Sequence, residues 1–584
     1  MVSLASRHLA LALAGLLALP LAAGGCFPTD EGPPPPEHQL YFPTGLVVSA
    51  GGSMLYVANS DFDLQYTAGT VQVLDLARLR ASVPPLWTAT DAGSAAEVCR
   101  QAGLSTNPSA NAVLFPGACS PIDLVSPPDG AGPLLKNTVR TGAFASDAAL
   151  VYAPRDPACD EPTSTLPCPE VGARLLVPVR GDPSLTFIDV DDDRPEHGAA
   201  RAPKFTLECG QATTAEGRCS LRHEAGVDPT ENTRGSVMPS EPFGVAADEA
   251  GTTIVVTHQT SGAASLFLNV WPGSGGCTVG PDRPTLSFVL GGLALGAAGI
   301  TSVPRPLAAD RFGYPYQPAF LVSYRNYAAI DVLRYVDDCA ASPSRPFLSL
   351  TARAGISTSA GGYDSRGVAL DTRARREAEA DCAVGAPACA TCDAGAPGCA
   401  PCEKERAEYD QCLLAAASRP IGVYVANRAP ASLLVGESRS SVSAYGTDDS
   451  VYMYDQVPLS EGPSRVYVAR VIGPDGLPRA RVFVVCFDSR LIYVYDPEAG
   501  AMEGVVRTGR GPVAIAFDPH VSPQAVSARG AISTPRDVAQ PTFAYVAHFT
   551  DSYLGVLDLD MRHPSTYLTL VATVAQPVPP REAR

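Results

Sequence analysis

Lysine is almost missing from this chain. Lys136, Lys204 and Lys404 stand alone against 40 arginines in 584 residues, acids outnumber bases, and the formal charge is −17. Binding to nucleic acid needs a basic surface that displaces counterions from phosphates, so that class of partner is not expected. Long apolar runs are also scarce. Past the first 25 residues the best candidate, Leu290 to Ile300, is Gly-rich and 11 residues long, about half of what a spanning helix requires. The chain has no G-x-S-x-G elbow, Walker A loop, dinucleotide fingerprint or H-E-x-x-H pair, which removes the usual handles for hydrolase, nucleotide and zincin readings. Helical periodicity is almost absent outside one insert.

What is present is turn chemistry and cysteine. Gly 52 and Pro 55 promise many turns, and 46% hydrophobic residues with a mean hydropathy of +0.06 exclude wholesale disorder. Sixteen cysteines are too many for an ordinary reducing cytosol. The N-terminus is consistent with export. Arg7 supplies a positive start, Leu9 to Leu21 an apolar run, and Ala22 to Gly25 a small-residue cleavage zone. Residues 1–25 followed by Cys26 resemble a bacterial lipoprotein signal, which implies that Cys26 is lipidated and becomes the first mature residue. By the same resemblance Phe27, rather than Asp, at the second mature position implies the outer membrane. Residues 26–40 then form a tether, with four consecutive prolines at Pro33 to Pro36 making a stiff spacer.

From residue 41 to 577 one unit recurs: a β-rich strand, a turn, and a second strand ending in an acid or amide. The closing residues are Asp75, Asp189, Asn269, Asp331, Asp455, Asp496 and Asp558. Their partner strands are 55–60, 175–179, 253–258, 319–324, 432–437, 482–487 and 544–549. Several pairs have an upstream strand opening with proline, at 43–50, 242–248, 420–426 and 512–518, and a fourth strand follows at 286–292, 347–353 and 567–573. Asp455 to Asp496 spans 41 residues, the length of a bare four-stranded blade. An all-β, seven-bladed β-propeller with four-stranded blades is expected, two of its blades carrying large insertions. Residues 578–584 are left as a tail.

LYVAN (55–59), AYVAH (544–548) and GRGPVAIAFDP (509–519) resemble the YVTN-type repeats of bacterial surface and periplasmic propellers, a pattern shared with lactonase-like propellers. The resemblance implies fold and compartment; the group has no single activity.

The cysteines fall mostly in loops. Cys99 and Cys119, Cys159 and Cys168, Cys209 and Cys219, and Cys277 and Cys339 come as neighbours, while Cys382, Cys389, Cys392, Cys399, Cys402 and Cys412 crowd an insert at 372–412. Seven disulfides and one buried thiol, Cys486, account for all but Cys26, though spacing leaves the pairing open. Within the insert, Cys389, Cys392, Cys399 and Cys402 make a C-x2-C-x6-C-x2-C pattern close to a four-thiolate metal site. The flanking Cys382 and Cys412 and the helical composition of 372–382 and 402–412 favour a small disulfide-closed helical hairpin instead.

Other chemistry is sparse. The seven closing acids and amides are expected to bond their own backbone and start turns rather than hold metal. Asp189, Asp191, Asp192 and Asp193 lack the spacing of a calcium loop and are expected to form a solvated acidic turn. Asn59, His258 and His548 occupy equivalent strand ends, which on a propeller open toward the top face or channel. They are the tentative ligand-binding set, against the plainer role of capping strand ends. No catalytic residue, metal or cofactor is assigned. The expectation is a lipid-anchored binding or scaffolding module whose partners are the membrane, through its lipid, and an envelope protein or surface ligand. The competing expectation is a lactonase-like hydrolase or channel-centred metalloenzyme.

Overall fold

A computed structural model describes residues 32–578, apart from 109–114, 156–158, 160, 164–171, 198, 200, 215–216, 272–280, 316, 338–344, 357–362, 385–399, 444–445 and 519–542. Seven antiparallel sheets follow one another along the chain. Their first strands are Pro43–Val48, Ala149–Tyr152, Pro242–Ala247, Ala297–Val303, Ser365–Asp371, Pro463–Ile472 and Pro512–Phe517. Each sheet is a plain meander of four strands; the second also pairs Glu224–Ala225 with its third strand. This is a seven-bladed β-propeller. The blades are buried on both faces by their neighbours, so their middle strands read as continuous apolar runs: MLYVAN, TIVVTH and FAYVAH are buried at every position. The core is correspondingly divided into clusters between successive blades, such as Ile254, Phe267 and Val256 packing against Leu176 and Phe187.

Ring closure is made by side chains and an insertion. The first blade contains only residues from the N-terminal side and the seventh only residues 512–574. The insertion after Asp75 reaches back instead: Ile122 pairs in parallel with Val574, its amide donating to Thr573 O at 2.8 Å and its carbonyl accepting from Ala575 at 2.9 Å. Arg80 of the same insertion meets Asp518 of blade 7 at 3.1 Å, and Phe42 donates its amide to Ser552.

Blade 5 departs from the expected pairing. The strands 432–437 and 451–455, taken from sequence as its second and third, are its third and fourth, Ala431–Ser443 and Gly446–Pro458. The upstream strand at 420–426 is the second, Ile421–Arg428, and the true first strand, Ser365–Asp371, lies before the helical insert. The insert separates a strand from its partner, so the local repeat shifted by one strand. In blade 4, Asp331 sits inside the strand Ala329–Val336 rather than at its end.

The insert forms helices Arg373–Val384 and Ala400–Ala417, tied by Cys382–Cys412. They lie against the short helix Leu307–Arg311 of blade 4, with Ala308, Leu413, Ala416 and Ala417 in one apolar cluster and Val442 of blade 5 packed on it. Polar anchors reach several blades. Arg375, fully buried, donates to Arg419 O and Pro304 O; Glu379 accepts from Leu307 N at 2.9 Å; Arg373 meets Glu498 of blade 6 at 2.5 Å; Arg376 pairs with Glu249 of blade 3. Cys99–Cys119 and Cys209–Cys219 are also bonded, Cys159 is disulfide-bonded, and Cys486 is a free buried thiol. Cys168, Cys277, Cys339, Cys389, Cys392 and Cys399 lie outside the described residues, as does the side chain of Cys402, and so do Cys26 and the whole segment before residue 32.

Candidate functional site at the channel mouth

The blades superimpose residue by residue where they meet the central axis. In six blades the residue before the first strand has a positive φ, namely Phe42, Glu241, Gly296, Asp364, Gly462 and Gly511, and in blade 2 Phe144 has one just before an isolated bridge at Ala145, ahead of the strand itself. Each of these carbonyls accepts the amide of the residue at or just past the end of the second strand. Those donors are Ser60, Arg180, Gln259, Arg325, Arg428, Phe487 and Phe549, at 2.7–3.2 Å. The left-handed turn lets the chain enter the strand with a bulge and close this bond, and only glycine adopts it without strain. Four of the seven residues here are not glycine, so the bond and the packing around it hold them there. Seven side chains are thereby set around one mouth of the channel.

One residue further into the blade come the expected binding residues. Opposite the first-strand positions 43, 145, 242, 297, 365, 463 and 512 stand Asn59, Val179, His258, Tyr324, Asn427, Cys486 and His548. All seven are buried, and Asn59, His258, Tyr324 and Asn427 bond within their own blade regions. Asn59 donates to Thr70 Oγ1 and Gln72 Oε1 and accepts from the Tyr41 amide. His258 contacts Ser240 O through Nδ1 at 3.1 Å and Ser265 Oγ through Nε2 at 2.8 Å, and burial pushes its pKa down to about 4. His548 stacks on Tyr553 with ring centroids 4.1 Å apart, and burial pushes it down to about 3. The structure does not bring these three side chains together at one surface. Cys486, the free cysteine among the described residues, shares their position, and burial pushes its thiol up to about 12.

Three residues past the positive-φ residue lies the throat. The occupants are Gly45, Asp147, Gly244, Gly299, Gly367, Arg465 and Ala514. The inner strands crowd here: a Cβ on Gly244 would meet Ala298 O at 2.5 Å, and one on Gly367 would meet Arg465 Cα at 2.9 Å. Five blades accordingly carry glycine or alanine. The two exceptions meet each other. Arg465 Nη1 donates to Asp147 Oδ1 at 2.6 Å, and Nη2 to Ser146 O at 2.9 Å. Burial opposes the Arg465 charge, but Asp147 and Tyr467 outweigh it and hold the guanidinium above its usual range. Because blades 2 and 6 are not neighbours in the ring, this pair bridges the channel. A cavity of about 340 Å³ lies beside it, lined among others by Phe243, Thr301, Arg366 and Tyr467.

The rim has two halves. Blades 6, 7, 1 and 2 give aromatic rings in continuous contact: Phe487 to Phe549 at 6.1 Å, Phe549 to Phe62 at 5.2 Å and to Phe42 at 4.9 Å, and Phe62 to Phe144 at 5.8 Å. From blade 2 to blade 6 the rim is cationic. Arg180 bonds Glu241 of the next blade, Arg428 bonds Asp488, and Arg366 holds Asp364 by a two-pronged contact at 2.9 Å on each oxygen. Arg325 reaches Asp364 at 3.8 Å only. Burial pushes Arg325 below the usual arginine range, and the charges of Arg366, Arg428 and Arg180 push the same way against Asp364.

The closing acids mostly behave as turn residues. Asp75 caps a helix through Arg78 N, Asp496 accepts from the amides of residues 498 and 499, and Asp558 from Asp560 N, His563 and Thr566. Three do something else: Asp331 is buried and bound to Tyr324 and Arg353, Asp189 is bound to Arg174, and Asn269, buried, accepts from the same arginine and donates to Gly251 O. The acidic run is not solvated as expected. Asp193 is buried and accepts from Ser49, Gly51 N and Ser53, fastening blade 2 to the first turn of blade 1, and Asp192 is buried against Arg194. Among the described residues no group of three or more His, Cys, Asp or Glu could hold a metal ion.

Neither the rim nor the bridge shows in any one repeat. The signal was available, since aligning PSRVYVA (463–469) under PTGLVVS (43–49) puts Arg465 beneath Gly45.

No family model matches the chain, and no curated protein matches it. Many solved structures do. The periplasmic gluconolactonase of Pseudomonas aeruginosa is 12% identical with a TM-score of 0.36, covering 80% of this chain and 86% of that one. A protein from Lactobacillus plantarum is 13% identical with a TM-score of 0.37, over 81% and 86%. Hydrazine synthase of Kuenenia stuttgartiensis is 10% identical with a TM-score of 0.39, over 92% and 98%. At these values nothing about activity passes from them to this chain.

Proposed function

We propose that this protein is an exported, lipid-anchored β-propeller that works as a binding module of the cell envelope, with the channel mouth as its recognition face. The observation that carries binding is the Arg465–Asp147 bridge. It closes the throat with two charges that neutralise each other, inside a rim that carries arginines on one side and packed phenylalanine rings, Phe62 half exposed among them, on the other. Rigid strands hold the floor while the loops between them form the rim, which is how scaffolds of this type present recognition surfaces. A lactonase-like site would need a carboxylate, an arginine and a histidine around the channel. Here the throat's carboxylate and arginine are spent on each other, and no histidine lines the cavity beside them.

Export and anchoring are supported by the signal-like N-terminus and by the disulfides, which form and persist in oxidising compartments. The outer membrane is the proposed address. Fractionating cells that express wild-type or Cys26→Ser protein tests the anchor: the wild type should sediment with outer membranes and the variant should be soluble. A variant that stays in the membrane fraction refutes lipidation at Cys26. Co-purification from solubilised envelopes, with and without Arg325→Gln, tests the recognition face. An envelope component retained by the wild type and lost by the variant is the expected result; turnover of gluconolactone by the purified protein would overturn the binding reading in favour of catalysis.

A further inference from the structure

We infer that the turn 61–66 of blade 1 holds a calcium ion, bound by the carboxylates of Asp61 and Asp63 and completed by the Gln65 amide oxygen and water. The site lies outside the binding reading above and does not depend on it.

An unbalanced carboxylate points to the cation. Among the described residues ten aspartates are buried. Six of them, Asp331 and Asp551 for example, face an arginine. Asp193, Asp248 and Asp558 each collect three or more hydrogen-bond donors instead. Asp61 has neither. It is 1% exposed, its Oδ1 accepts the Tyr66 amide at 3.3 Å, and its buried Oδ2 has no partner among the described residues. A buried carboxylate oxygen without a partner carries an uncompensated desolvation cost. Burial accordingly raises the Asp61 pKa to about 7, the Asp63 charge adds to it, and no arginine or lysine acts on it in return.

Contacts within the turn gather its groups into one site. Tyr41, in the segment leading into blade 1, donates its hydroxyl to Asp63 Oδ2 at 2.6 Å and packs edge-on against Tyr66 with ring centroids 4.9 Å apart. Gln65 Nε2 donates to the same Asp63 oxygen at 2.6 Å, and Thr67 N donates to Pro33 O at 3.2 Å. Burial and Asp63 push the Tyr41 phenol above its usual range, so it stays a donor and orients the Asp63 carboxylate, as outer partners of metal ligands do.

The donor set selects the metal. Asp61, Asp63 and Gln65 are oxygen-bearing side chains at alternate positions, the spacing of the first three ligands of a calcium loop. The turn has no histidine or cysteine to favour a softer metal. The described residues hold no cluster of three or more His, Cys, Asp or Glu, so the amide and water complete the roughly six to eight oxygens that calcium takes. Tyr66 and Gln72 stand where the full loop pattern has Gly and Glu, and two carboxylates place the affinity at the weak end, about 10⁻⁴–10⁻³ M. Phe62 lies between the two acidic ligands in sequence, so the ion would fix this half-exposed rim ring relative to the tether.

Isothermal titration of the chelator-treated full mature chain with calcium chloride and with magnesium chloride tests this, in about 0.15 M KCl to screen diffuse attraction to the net negative charge. One saturable calcium site in the stated range is expected, with magnesium at least about tenfold weaker because it demands a stricter octahedral shell. Asp61→Asn and Asp63→Asn should each weaken calcium binding at least about tenfold. Asp191→Asn, in the other acidic turn, should leave it unchanged. In chelator Asp61→Asn should melt no lower than the wild type, since the amide removes the unbalanced charge. Asp63 is exposed, so its variant reads the site even if Asp61→Asn does not fold. No saturable calcium binding would mean that a proton balances Asp61, and overturns the inference. Calcium binding that survives both variants, or is lost in Asp191→Asn, puts the ion elsewhere and overturns it as well. Magnesium binding as tight as calcium would overturn the metal assigned.

Discussion

Arg465 of blade 6 and Asp147 of blade 2 meet across the axis of the propeller at 2.6 Å, joining two blades that share no interface. Both are 17–19% exposed, so water reaches them only partly. Their attraction is therefore stronger than that of a surface pair, and loss of one partner leaves a charge in a narrow throat. Arg465→Ala and Asp147→Ala should each destabilise the protein by about 1–3 kcal/mol. The double variant should lose less than the sum, because the stranded charge is then gone. Urea unfolding of the four proteins measures the coupling; additive losses would mean that the two side chains do not interact in solution.

Cys486 gives a second prediction. Burial inside the second strand of blade 6 pushes its thiol up to about 12, so at neutral pH it is neither ionised nor accessible. A thiol reagent should leave the native protein unlabelled over hours and, after denaturation without reductant, should label one cysteine, Cys486. Labelling of Cys389, Cys392, Cys399 or Cys402 would show free thiols in the insert and revive the metal reading for it.

The helical insert is bound to more of the ring than its place in the sequence suggests. Its anchors reach blades 3, 4 and 6, and Arg375 is buried against carbonyls on both sides of the junction. Removing the Cys382–Cys412 bond closes off no contact directly but releases a loop of 30 residues in the unfolded chain. Replacing both cysteines with serine should lower stability by about 3–4 kcal/mol. Arg375→Ala should cost about 2–4 kcal/mol by orphaning the carbonyls of Pro304 and Arg419. Thermal unfolding reads both, and an unchanged midpoint for Arg375→Ala would show that the hairpin is a passive appendage.

The fold was legible because a propeller blade writes itself locally. The runs LYVANS, TIVVTH and AYVAHF are short, β-branched and spaced at blade length, and all became second strands. Legibility failed where long segments intervene. Blade 5 places about 50 residues between its first two strands, so the run that precedes its central pair in sequence is the second strand and not the first. The channel mouth is hard to read in sequence for a different reason. Asn59, His258 and His548 stand out as residue types, but the register puts their side chains inside the blades. The residues that surround the mouth are their immediate successors. Nothing in a single blade distinguishes Arg325 or Phe549 as a rim residue; the seven-fold comparison does, once the register is known. The Arg465–Asp147 bridge joins residues 318 positions apart, which no local pattern records.

The buried histidines make acid stability a direct readout of that register. His258 and His548 are held neutral by burial, with pKa values near 4 and 3 against an ordinary 6.5. Below pH 6.5 the unfolded chain takes up protons that the folded chain refuses, so their contribution is complete above about pH 7 and is lost as pH falls toward 4 and then 3. Each should add a slope of about 1.4 kcal/mol per pH unit across that window. Asp61 works against them. Burial raises its pKa to about 7, so the folded state holds a proton that the unfolded state gives up above about pH 4, and its contribution declines as pH rises through 7. The comparison is therefore made by difference: His548→Gln, measured beside the wild type from pH 7.5 to 4.5 with the Asp61 term common to both, should show a shallower acid loss. Parallel curves would mean that His548 reaches water in the native protein and that its strand end faces the mouth after all.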